Sequence, residues 1–134
     1  MKKFQDYLEE GQVRKDTGST AEADSLRKQA VKRFEQQIKK TELTEDNATF
    51  KFEDAYEATR QYLQSFLAEQ GYKPYSHEAI IAYAKENSII TEKEANQLNQ
   101  FRKLRNDIKY RAEQTNTEKT RQIIKITQKI LEKE

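Results

Sequence analysis

The chain has 134 residues, with 25 Lys or Arg against 23 Asp or Glu, 34% hydrophobic residues and a formal net charge of +2. That length suggests a single domain, residues 1–134, and so small a net charge excludes a chain that is polycationic as a whole. The absence of cysteine excludes disulfides, thiol chemistry and thiolate metal sites, and no apolar run is long enough to cross a membrane.

The start, MKKFQDYLEE, lacks the apolar centre of a signal peptide, so the expected location is the cytoplasm. Residues 1–15 read as a short helix through Phe4, Tyr7 and Leu8, weakened beyond by Gly11. Residues 15–19 read as a loop, which makes 1–18 an N-terminal appendage on the remaining helices. Ser19 and Glu22 have capping-box spacing and open a helix in which Leu26, Ala30, Phe34 and Ile38 recur every four residues, with Val31 beside them. It should stop near Thr41, with Thr44 or Asp46 capping the next. That next helix spans about residues 46–70. Its Phe52, Ala55, Tyr56, Ala58, Tyr62, Leu63, Phe66 and Leu67 cover about half its circumference, which predicts a central helix packed on several sides. Its aromatic ladder has the spacing of core rather than of a base-stacking platform.

Gly71 ends this helix, and residues 71–75 form a turn in which Pro74 biases Lys73 away from helical backbone. Ser76 caps a short helix to Asn87 that is apolar all round from Ala79 to Ala84. Thr91 and Glu94 repeat the capping-box spacing and open a helix that should end near Glu113. Thr117 is the expected N-cap of the last helix, which turns Ile123, Ile126, Thr127, Ile130 and Leu131 inward. No strand signal and no internal repeat appears. The fold expected is all-α: an antiparallel bundle of about five helices plus a short N-terminal one.

One stretch stands out, Phe101–Arg111. At about 100° per residue, Leu98, Phe101, Leu104, Ile108 and Ala112 share one face, and Arg105 falls inside it. An arginine there needs a partner, because its charge is costly to leave unpaired away from water. Arg102, Asn106, Lys109 and Tyr110 continue from it in a polar arc of roughly 140°. Three cations, a carboxamide and a phenol bordering the core form a candidate pocket for an anion. The alternative is that Arg105 snorkels or pairs with a buried acid while its neighbours are solvated surface. The surrounding charge suits the anion: residues 101–134 hold ten Lys or Arg against five Asp or Glu, although an acidic face of the same protein would suit them too. The single histidine, His77, lies in the first turn of the short helix, where a helix N-terminus disfavours its charged form. It is either a locally bonded helix-start residue or an accessory general base brought to Arg105. No metal-loop spacing, glycine-rich phosphate loop or Ser-His-Asp arrangement occurs, so neither metal nor cofactor is expected.

The segment FRKLRNDIKYR resembles the signature of the HEPN (higher eukaryotes and prokaryotes nucleotide-binding) family of small helical proteins. Its motif is Arg, a polar residue, a few residues and then His, near the end of the penultimate core helix. Arg105 and Asn106 occupy the first two places and Tyr110 stands where the histidine would be. Residues 71–79 resemble the family's turn into its short third core helix, and the likeness covers about residues 20–134. For catalytic members this implies metal-independent RNA cleavage. Arg and the polar residue hold the phosphate, His moves the 2′-hydroxyl proton, and two motifs meet across a dimer. A tyrosine, with a reference pKa of about 10, is a poor base at neutral pH, so cleavage is expected to be weak or lost. Arg105 and Tyr110 also lie about 140° apart on an ideal helix, so sharing one ligand asks for a loosened helix or a second chain.

Some members resemble toxins paired with a minimal nucleotidyltransferase that modifies a tyrosine two places beyond the motif histidine. Here that place holds Ala112. Others resemble the non-catalytic substrate-binding subunit of a nucleotidyltransferase. The leading expectation is therefore a homodimeric protein that binds RNA or nucleotide through Arg102, Arg105, Asn106, Lys109 and Tyr110. It would belong to a prokaryotic toxin–antitoxin or nucleotidyltransferase-partner system. The alternatives are a protein-interaction module with a structural Arg105, and an active ribonuclease toxin that uses Tyr110 or His77.

Overall fold

The computed structural model describes residues 2–133. It is a helical bundle: α1 (Phe4–Glu9), α2 (Thr20–Arg33), α3 (Ala48–Glu69), α4 (His77–Glu86), α5 (Glu92–Arg111) and α6 (Thr117–Leu131). The helix starts lie where local chemistry puts them. Ser19, Ser76 and Thr91 each accept a backbone N–H from three residues on, and the Thr91 N–H donates in turn to the Glu94 carboxylate. The last cap is Asn116 rather than Thr117, because its carboxamide oxygen accepts the Lys119 N–H at 2.8 Å. Among the described residues, no helix is long and apolar enough to cross a membrane.

Helix α3 is the central element, packed most extensively against α2 and then α6, and also against α4 and α5. Phe52, Ala55, Tyr56, Ala58, Tyr62, Leu63 and Leu67 are all buried, as a stripe of that width requires. Three threonines stitch it to α6. The hydroxyls of Thr59 and Thr127 share a hydrogen bond of 2.8 Å, and Thr120 donates to the Ala48 carbonyl, so these buried polar groups are satisfied. The stripe holds at Ala30 on α2 and at Phe34 just beyond it, but Val31 is exposed. The helix then widens into a π-helical turn, Phe34–Ile38, that keeps both Phe34 and Ile38 buried. The buried Lys51 amine reaches back from α3 to the Ile38 and Thr41 carbonyls, closing the end of this turn.

Two expectations fail at the N-terminus. Residues 4–13 are no appendage: Phe4, Tyr7 and Val13 are buried in the main core, with Phe4 edge-on to Tyr72 and Tyr83. A small antiparallel ribbon also exists, β1 (Val13–Lys15) with β2 (Tyr72–Pro74), pairing Val13 with Pro74 and Lys15 with Tyr72. Residues 71–75, expected as a turn, therefore include an extended segment, and three residues are too few for alternation to reveal it. Gly71 permits the crossing: its φ is +82°, and a Cβ there would meet the Asp16 carbonyl oxygen at 2.1 Å.

Candidate functional site

Helix α5 runs unbroken to Arg111 and stops because Ala112 adopts a left-handed conformation, φ 53°, so Ala112 is exposed rather than part of the apolar face. Leu98, Phe101 and Ile108 are buried, which rolls Arg102, Arg105, Asn106, Lys109 and Tyr110 toward the start of α4. Between the two lies an open cleft of about 320 Å³ lined by those five residues together with Tyr75, Ser76, His77 and Glu78. All six residues singled out in the sequence therefore border one space, although the helix is regular and contributes Arg105 and Tyr110 from well-separated directions.

Their roles differ. Arg102 is committed: its guanidinium pairs with Glu78 at 3.4 Å and its Nε donates to Asn99. Glu78 also accepts the Tyr7 hydroxyl at 3.1 Å, so this carboxylate ties α1, α4 and α5 together. Arg105 finds its partner in an aromatic ring rather than an acid. Its guanidinium lies 5.7 Å from the centroid of the buried Tyr56, a cation–π contact. Among the described residues, neither Arg105 nor Lys109 forms an ion pair, so two positive charges in the cleft stand uncompensated.

The Tyr56 hydroxyl and His77 Nδ1 share a hydrogen bond of 3.0 Å. Burial, followed by the charges of Arg60 and Arg105, pushes His77 down to about 4, with Glu57 opposing. Burial likewise pushes Tyr56 up to about 12, Arg105 opposing. At neutral pH both groups are therefore uncharged, and the acid that lines the cleft, Glu78, is paired with Arg102 rather than with Arg105 or Lys109. Among the described residues, no group of three or more His, Asp or Glu is arranged to hold a metal.

A larger groove, about 590 Å³, lies beside Arg27, Phe66, Glu69, Ile89 and Lys133. Its two cations are neutralised, Arg27 by Glu69 and Lys133 by Glu94, so this groove is a poorer candidate for an anion than the α4–α5 cleft. Sequence reasoning missed Tyr56, Tyr75, Ser76 and Glu78. The last three flank His77, so its candidacy could have carried them. Tyr56 has the spacing of core, which its burial supports, and nothing local signals that its ring also carries Arg105. Comparison with family models, with curated proteins and with solved structures finds no match to this chain.

Proposed function

We propose that this chain is a HEPN-like protein that binds RNA or nucleotide, holding phosphate with Arg105, Asn106 and Lys109. The observation that carries this reading is the pair of uncompensated cations, Arg105 and Lys109, in a polar cleft beside the start of α4. A guanidinium held by a ring face keeps its N–H fork available for directed hydrogen bonds to phosphate. Binding is favoured over cleavage, because phosphoryl transfer needs a proton acceptor that titrates near neutrality. His77, at about 4, is too weak a base, and its Nδ1 is engaged by Tyr56. The motif also motivates two proposals about assembly: a homodimer with α5 near the two-fold axis, and a nucleotidyltransferase partner.

The test compares Arg105→Ala with Arg121→Ala, both checked for native melting, by fluorescence anisotropy with a labelled oligoribonucleotide and a labelled nucleotide. Arg121 is exposed on α6 and outside the cleft. Nonspecific attraction tracks the number of neutralised phosphates and would fall equally in both. Directed recognition predicts a loss of tenfold or more for Arg105→Ala alone, a change of about 1.4 kcal/mol or above. Equal binding by the two variants would leave Arg105 a structural residue and the chain an interaction module.

A further inference from the structure

Four large hydrophobic side chains stand exposed among the described residues: Val31, Phe50, Tyr75 and Tyr110. Single exposed apolar residues are ordinary, but the two tyrosines line the same cleft, beside Arg105 and Lys109. Tyr75 is 58% exposed and Tyr110 is 71% exposed, whereas Tyr7, Tyr56, Tyr62 and Tyr83 are buried and Tyr72 is half-buried. The fold thus uses its other tyrosines for packing and leaves these two open at the cleft that carries uncompensated positive charge.

Both backbones are held. The Tyr75 N–H donates to the Gln12 carbonyl at 2.8 Å, extending the β-ribbon, and Tyr110 sits within the last turn of α5. With the backbone already ordered, only the side-chain torsions of the two rings remain to be fixed when a ligand covers them. The Lys109 amine lies 5.5 Å from the Tyr110 centroid, so a cation and an aromatic face are presented together. A phosphate alone has no use for a ring face, and in a duplex the faces of the bases are covered by stacking. A free nucleotide offers only one base, so a ligand that brings phosphate together with an uncovered base for each of the two rings is a single strand.

We infer that the cleft takes single-stranded RNA, with bases stacking on Tyr75 and Tyr110 while Arg105 and Lys109 hold the backbone. This rests on the phosphate-binding reading above, and the two can fail separately. The probes are a fluorescein-labelled oligouridylate, an RNA duplex of the same length, and inorganic polyphosphate as competitor, each titrated over a range of salt. The expected result is that the oligouridylate binds more tightly than the duplex. Tyr75→Ala and Tyr110→Ala should each weaken its binding roughly fivefold or more, the range expected for one stacked base. Neither change should alter the slope of log K against log salt, because neither removes a charge. Lys109→Ala should make that slope shallower by about 0.7, the value for one phosphate contact on a single strand. Tyr75→Phe and Tyr110→Phe should restore binding to within about twofold, since stacking uses the ring and not the hydroxyl. Tyr→Ala variants that bind like wild type overturn the stacking inference, as does a duplex or polyphosphate that binds as tightly as the single strand. If Arg105→Ala still loses affinity in that case, the phosphate site stands alone. If Arg105→Ala binds no worse than Arg121→Ala, both readings fall.

Discussion

The lone histidine allows a direct measurement of how dry and how positive the cleft wall is. His77 is pushed from an ordinary 6.5 to about 4 by burial and by the charges of Arg60 and Arg105. Because the folded value lies below the unfolded one, the unfolded chain binds a proton between these pH values that the folded chain refuses. Stability from this site is therefore complete above about pH 6.5 and is lost as pH falls toward 4. At face value the shift removes about 2 kcal/mol between pH 7 and pH 5. The half-buried ring retains some water, and screening reduces that figure to about 1 kcal/mol. The carboxylates of Glu57, Glu94 and Asp16 are held below their ordinary values, so their losses begin only under about pH 4.5. Urea unfolding followed by circular dichroism at pH 7 and pH 5 should show wild type losing about 1 kcal/mol more than His77→Gln. Nuclear magnetic resonance should follow the single imidazole to a midpoint well below 6.5. A midpoint at or above 6.5, or identical pH dependence in the two proteins, would refute the dry, cation-ringed environment deduced for His77.

Lys51→Met should cost about 1–3 kcal/mol in urea unfolding, because the Ile38 and Thr41 carbonyls lose their donor; a more stable variant would contradict that capping role. Gly71→Ala should lower stability by about 2 kcal/mol or more, since φ is +82° and the new Cβ would collide with the Asp16 carbonyl; unchanged melting would show that the ribbon crossing is not tight. Light scattering at micromolar concentration should return twice the chain mass of 15.9 kDa, and a monomeric mass counts against dimerisation through α5. Tyr110→His should raise cleavage of RNA above the wild-type level, because an imidazole titrates near neutrality; a folded variant with no gain would show that the missing base is not what limits turnover.

The sequence by itself determined the helices, most of their boundaries and the wall of the cleft that one helix can build alone. Ser19, Ser76 and Thr91 act within three residues of themselves, and the buried faces of α3 and α6 follow from a repeat that each helix carries internally. Arg102, Arg105, Asn106, Lys109 and Tyr110 were legible together for the same reason, since helical arithmetic places neighbours along one helix. What closes the site was not legible. Glu78 neutralises Arg102 while Tyr56 carries Arg105, and both partners come from other helices. The ribbon that fixes Tyr75 joins Val13 to Pro74, segments too short for periodicity to register. Val31 has the spacing of a core residue, yet it is exposed on α2. Local chemistry sets the conformation and faces of each helix. Which charge is cancelled, which ring is covered and which stays open depends on where separate helices come to rest, and only the tertiary structure decided that.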